Sequence, residues 1–173
     1  TNDKVAVGAY YAGFNLGYKF TNPFKAELGF EYLSGKDQND TDTKVKSFTP
    51  LFGTNHGFNG LMDYFYVGNH KNSVGLQDFY TKFIYDKNKW QVTLSPHLFY
   101  SAASVYNMTT LEEQDSYLGT EIDLTATYKL DKNFVISGGV SKMFASNTME
   151  ILKGGNNSNG NNWKRVRIRF NQQ

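Results

Sequence analysis

The chain alternates. Between residues 6 and 20, Ala6, Tyr10, Ala12, Phe14, Leu16, Tyr18 and Phe20 share one set of positions; Ala9, Tyr11, Gly13, Asn15, Gly17 and Lys19 share the other. A period of two predicts a strand with different environments on its two faces. The same reading sets Ala26, Leu28, Phe30 and Tyr32 against Glu27, Gly29, Glu31 and Leu33, and then Phe79, Thr81, Phe83 and Tyr85 against Asp78, Tyr80, Lys82 and Ile84. Further runs cover residues 90–100, 118–130 and 134–144. In the second of these, Ile122, Leu124, Ala126 and Tyr128 oppose Glu121, Asp123, Thr125, Thr127 and Lys129. The last run, "WKRVRIRF" from Trp163 to Phe170, places Val166, Ile168 and Phe170 opposite Arg165, Arg167 and Arg169.

Together these runs predict an all-β chain of about seven antiparallel strands. Short turns follow residues 20, 85 and 130; long connections follow residues 35, 100 and 144, the first covering residues 36–74. Strict short/long alternation is what a transmembrane β-barrel requires, with tight turns on one side of the membrane and long loops on the other. Aromatic residues gather where strands meet the short turns (Tyr18, Phe20, Phe24, Tyr85, Trp90, Tyr128, Phe134, Phe170), as an interfacial girdle does. A soluble ligand-binding β-barrel alternates as well, with its apolar face inward. The loop rule, the girdle and the near absence of charge from the apolar faces favour the membrane barrel. Lys142 and Lys164 are the exceptions, both near loop ends where a lysine can snorkel.

Composition narrows this further. Tyr, Phe and Gly are plentiful and Pro scarce, which suits strands and turns. The net charge of +2 points to neither nucleic acid nor a charged membrane surface as partner. Without cysteine there is no disulfide framework and no thiolate metal site. No stretch reaches the roughly 20 apolar residues of a membrane-spanning helix. Residues 1–173 are expected to form the C-terminal portion of a single, larger transmembrane β-barrel domain. The chain begins at Thr1 without an initiator Met or signal peptide, so a processed product or a piece of something longer is expected. An odd strand count would leave an open edge that lipid cannot satisfy, so further strands from the same or another chain are expected to close the sheet.

On this reading Arg165, Arg167 and Arg169 face a watery lumen, where they attract anions. The same charges on the lipid face would cost up to about 2–4 kcal/mol each. Strand six offers only small residues inward, Ser137, Gly139 and Ser141, with Val135. Strands two apart lie about 9.6 Å from each other. Glu121 and Asp123 are therefore expected to pair with Arg165 or Arg167 across it and hold them in place. Glu27, Glu31, Asp78, Lys82 and Lys129 complete a polar lining. Asp37, Asp40 and Asp42 in "KDQNDTD" are weak calcium candidates without EF-hand spacing, and a solvated acidic loop accounts for them better. His97, between Ser95 and Ser101, lacks an evident orienting carboxylate and reads as lumen wall; an outer-membrane lipase would need a better set. His56 and His70 have no matching ligand spacing. "GLMDYFYVG" would form either a short helix folded into the pore or a small hydrophobic plug built on Met62, Tyr64, Phe65 and Tyr66.

The stretches "FEYLSGKD", "FTPLFGTNHGFNGLMDYF", "YLGTEIDLTATYKL" and "ISGGVSKMF" resemble the alginate-export family of outer-membrane β-barrels, chiefly its C-terminal half, from about Tyr18 onward. The Gly-Thr-Glu-Ile-Asp strand at Gly119–Asp123 and the Gly60–Phe65 loop carry the likeness most distinctly. Membership would imply a large monomeric barrel whose positively charged constriction passes an anionic polysaccharide. The combined expectation is a non-enzymatic channel of a bacterial outer membrane, in contact with bilayer lipid and lipopolysaccharide. It would need no cofactor and pass polar, anionic solutes.

Overall fold

The computed structural model describes residues 4–51, 59–65 and 73–170. Seven strands run in one antiparallel sheet whose spatial order is the chain order: β1 (Tyr11–Thr21), β2 (Phe24–Leu33), β3 (Leu76–Lys87), β4 (Trp90–Tyr100), β5 (Tyr117–Lys129), β6 (Phe134–Ala145) and β7 (Asn161–Phe170). One short helix, α1 (Asn147–Lys153), sits between β6 and β7. The all-β antiparallel reading therefore holds, with each predicted strand within a few residues of its place. The sheet is open, with β1 and β7 as its edges. No described helix is long and apolar enough to cross a membrane.

The short connections at residues 22–23, 88–89 and 130–133 all lie at one end of the sheet, and the long ones at the other. Asn88 takes a positive φ of 56° in its two-residue turn, a conformation Asn tolerates better than most side chains. Such tight turns fix register, and a slip of one residue would exchange the faces of a strand. The register carries straight across the sheet: Phe83, Leu94, Leu124 and Val140 form one row, and Asp123, Ser141 and Trp163 lie in a row on the opposite face. Only the first strand departs from expectation. Its residues 6–10 run past the end of β2, where no strand remains to pair with them. Val7 forms an isolated bridge to Val45 instead, and the Tyr10 amide donates to Ser34 Oγ.

Polarity separates the two faces. Phe14, Leu16, Leu28, Phe79, Phe83, Leu94, Leu98, Ile122, Leu124, Val140, Val166 and Ile168 are all exposed, whereas Asp78, Ser95, His97, Glu121, Asp123 and Ser141 are buried on the other face. The one apolar core lies at the long-loop end of that polar face. Leu33, Leu76, Phe99, Leu118 and Met143 close over it from strands β2 to β6, Phe65 enters from the first long connection, and Met149 enters from α1. A local irregularity between Phe99 and Tyr100 in the β4–β5 pairing turns Leu118 onto this side, and Gly119 accommodates it at φ 150°. Ser146 caps α1 by accepting from the Met149 amide, which aims Met149 into the cluster. Full burial of side chains this size contributes about 1.5–3 kcal/mol each.

Phe99, fully buried against the Phe65 ring at 4.7 Å, anchors this cluster. Phe99→Ala is expected to cost about 3–5 kcal/mol, read as a lower urea midpoint with an unchanged slope. A shift of under about 1 kcal/mol would show that the cluster is not a stabilising core.

Candidate functional site

The polar face is organised by a segment that crosses it. Residues 59–65 of the first long connection fold back over β3–β5. They do so as turns: Asn59 and Asp63 have positive φ, as does Gly60 at 86°. Over residues 60–65 of "GLMDYFYVG" these turns match the plug alternative and not the short helix, with Phe65 in the core and Met62 and Tyr64 packed against it. Tyr66, His56 and His70 lie outside the described residues.

Carboxylates hold this segment. Glu121 Oε1 accepts from the backbone amides of Leu61 (2.7 Å) and Met62 (2.9 Å), and Asp123 Oδ2 accepts from the Leu61 amide at 3.2 Å. Asn59 Nδ2 donates to Glu31 at 2.9 Å and to Asp78 at 3.2 Å. Gly60 is required here: a Cβ at that position would lie 2.6 Å from Glu121 Oε1, and its φ is one that side chains disfavour. Glu121 Oε2 and Asp123 Oδ1 are both buried and have no hydrogen-bond partner among the described residues.

The expected pairing of Glu121 and Asp123 with Arg165 or Arg167 does not form. Among the described residues no ion pair joins either carboxylate to an arginine. Register explains why. Asp123 is level with Ser141 and, one strand further, Trp163; Arg165 is level with Gly139 and Thr125, and Arg167 with Ser137 and Thr127. Trp163 stands level with Asp123 and Asn161 with Glu121, and neither is an arginine. Each arginine is displaced toward the short-turn end by at least one inward position, roughly 7 Å. Backbone amides of residues 61 and 62 supply the donors instead.

His97 differs from its sequence reading too. An orienting carboxylate is present: Asp78 Oδ1 lies 2.9 Å from His97 Nδ1, and both residues are buried. The other ring nitrogen faces Asp123 Oδ2 at 3.9 Å, and no serine hydroxyl hydrogen-bonds to it among the described residues. The ring is stacked against Tyr80, with centroids 5.4 Å apart, and Tyr80 lies over Gly29, where a Cβ would overlap it. The sequence could not disclose the Asp78–His97 pair, because residues 19 apart meet only through the β3–β4 register, which sets Asp78 opposite Phe99 and Tyr80 opposite His97.

Two open clefts flank the crossing segment. One, of about 390 Å³, is lined by Glu27, Glu31, Asp78, Asp123, His97 and Lys82, among others. The second, of about 270 Å³, is lined by Thr127, Ser137, Gly139, Trp163, Arg165 and Arg167. Leu61 and Thr125 border both. Arg169 and Lys129 lie beyond them, exposed in one row with Val135 between them near the short turns. The predicted polar lining is therefore assembled on one face, but divided into an acidic and a basic part.

The acidic loop is satisfied internally. Lys46 Nζ pairs with Asp40 at 2.5 Å and Asp42 at 3.4 Å, and Asp37 Oδ1 accepts from the Ser104 amide at 2.7 Å. Among the described residues no cluster of acidic or histidine side chains could hold a metal ion. The solvated-loop reading of Asp37, Asp40 and Asp42 fits this arrangement; the calcium alternative does not.

No protein-family model matches the chain, and no curated protein matches it.

Two outcomes follow from these contacts. Glu121→Ala leaves the Met62 amide without its acceptor and the Leu61 amide with only its longer bond to Asp123, at about 1–3 kcal/mol for a buried donor left unsatisfied. Their hydrogen exchange should accelerate by at least roughly tenfold; unchanged protection would mean that the carboxylate does not hold the segment. In the outer loop, the hydrogen bond from Lys46 holds the Asp40 carboxyl below its ordinary range. A lowered carboxyl pKa adds stability above the unfolded-state value and loses it as pH falls through the folded-state value. Protection factors at Gly8 and Val45, whose amides join this loop to residues 6–8, should therefore fall on acidification through that lower range. Asp40→Asn should weaken the dependence, with Asp42, also paired with Lys46, carrying the remainder.

Proposed function

We propose that this chain forms part of the wall of an outer-membrane β-barrel channel that passes polar, anionic solutes. The observation that carries the reading is the inverted polarity: along the middle of β3–β6 the exposed side chains are apolar with the exception of Lys142, while Asp78, Ser95, His97, Glu121, Asp123 and Ser141 are buried on the other face; the edge strands β1 and β7 expose residues of both faces. In water such a surface would be a large unprotected apolar patch. In a bilayer it is the required arrangement, with lipid against Leu94, Leu124 and Val140 and solvent against the arginines. The soluble ligand-binding alternative needs the opposite placement.

Dimensions support the same reading. Aromatic pairs edge the short-turn end, Phe24 with Tyr85 at 5.4 Å and Trp90 with Tyr128 at 4.6 Å; Tyr10 with Tyr32 and Tyr100 with Tyr117 edge the other. From Phe24 to Tyr32 is roughly 27 Å along the strand, or roughly 20 Å of height at barrel tilt, near the apolar band of about 25 Å. The open edges of β1 and β7 require further strands, from the same chain or another, because lipid satisfies no backbone group.

In the channel, Arg165, Arg167 and Arg169 draw in anions along one strip of lumen wall. Glu121 and Asp123 position the Asn59–Met62 segment, which narrows the lumen beside that strip. The resemblance to alginate exporters accords with a basic strip and an anionic polysaccharide cargo.

The test is the reversal potential of the protein in a planar bilayer under a salt gradient. Replacing Arg165, Arg167 and Arg169 with Gln should shift it toward cation selectivity and leave single-channel conductance of the same order. Folded protein that carries no current would remove the channel reading and the arginines' role with it.

A further inference from the structure

Resting on the placement of the apolar face in an outer membrane, we propose that Lys142 and Lys164 clamp a headgroup phosphate of the outer-leaflet glycolipid, the lipid A part of lipopolysaccharide.

The lipid-facing surface supplies the first observation. Apart from Lys87 beside a short turn, its strand positions carry two charged side chains, Lys142 on β6 and Lys164 on β7, both exposed. The two are neighbours. Lys142 is level with Asn162 and Lys164 with Val140, so they stand diagonally on adjacent strands. Diagonal partners are about 7–8 Å apart, which long side chains bridge, so both ammonium groups reach one anion.

Like charges this close oppose one another unless a counter-ion joins them. Among the described residues none does, for neither lysine has an ion-pair partner. Lys142 lies between Ile122 and Asn162, with Thr120 and Leu124 diagonal to it, while Glu121 and Asp123 project from the opposite face. An anion from the surrounding lipid fills that role. Lysine binds phosphate as a point charge, and Asn162 adds a side-chain amide donor in the same row as Lys142.

Orientation and height match a headgroup. From Phe134, in the short-turn girdle, to Lys142 is roughly 27 Å along β6, the same climb as from Phe24 to Tyr32. Lys142 thus stands at the far edge of the apolar band, where a charge costs far less than at the bilayer midplane. Its side chain continues in that direction: Nζ lies 4.9 Å from the centre of the Phe144 ring, and Cε lies 4.0 Å from where a Cβ on Gly160 would be. Lys164 starts one outward position lower and reaches the same edge by its flexible stem. The long loops mark this edge as the outer surface, the side on which lipid A carries its phosphates.

Native mass spectrometry of the detergent-solubilised protein tests this, with bisphosphoryl lipid A, its dephosphorylated form and inorganic phosphate as probes. Bisphosphoryl lipid A should bind about thirtyfold tighter than the dephosphorylated form, as two lysines at a charged membrane surface provide. Lys142→Gln alone should cut that preference about fivefold. Lys142→Gln with Lys164→Gln should abolish it, and Lys→Arg at both positions should keep it. Inorganic phosphate in large excess should not displace the lipid, because acyl chains hold it to the apolar face. Equal binding of the two lipids, or an unchanged preference in the double Gln variant, would show that the lysines only snorkel and would overturn the inference. Displacement by inorganic phosphate would make a free anion the ligand and overturn it as well. Planar-bilayer conductance of the same preparations separates this inference from the channel reading. A conducting protein without the preference leaves the channel standing; a non-conducting protein that shows it leaves the lipid site standing.

Discussion

A two-residue repeat held in phase through six antiparallel pairings governs everything else in this molecule. Each tight turn at the short end pins the register of the hairpin it closes, and the ladder transmits that register to the next strand. Because the repeat stays in phase between the irregularities at Lys19–Thr21 and Phe99–Tyr100, Leu94, Leu124 and Val140 meet on one face and Asp123, Ser141 and Trp163 on the other. Apolar and polar surfaces are thus sorted by backbone geometry, without a conventional core in the middle of the sheet.

Packing is confined to the long-loop end. There the polar face turns apolar at Leu33, Leu76, Phe99, Leu118 and Met143, and Phe65 and Met149 seal it. Below that cap the face carries groups that are costly to bury unless they find partners. The crossing segment provides several: its backbone amides donate to one oxygen each of Glu121 and Asp123, and the Asn59 side chain donates to Glu31 and Asp78. The hydrophobic cap and the carboxylate grip act on the same seven residues, 59–65, from two sides. This segment therefore has a fixed place on the wall despite containing no regular secondary structure.

Charge on that wall is arranged in two territories. The acids sit beneath the crossing segment on β2, β3 and β5, and the arginines sit on β7, nearer the short turns. Small residues on β6 leave room between them, so the side chains of β7 reach open space instead of a carboxylate. Opposite charges therefore follow one another along the face, with Leu61 and Thr125 at the boundary.

Alternation in the sequence by itself determined the strand number, the antiparallel order, the ends at which turns and loops lie, and the face each side chain takes. All of these are local, set by a period of two and by turn chemistry. It also brought Arg165, Arg167, Arg169, Glu121 and Asp123 to one face, because facing depends only on parity. What it could not determine was their height relative to one another. The pairing of Asp123 with Ser141 and Trp163, not Arg165, depends on how many residues each connection consumes between strands. The path of residues 59–65 and the meeting of Asp78 with His97 are likewise products of long-range closure. A carboxylate's partner is whatever donor the fold delivers to it, and here the fold delivered backbone amides.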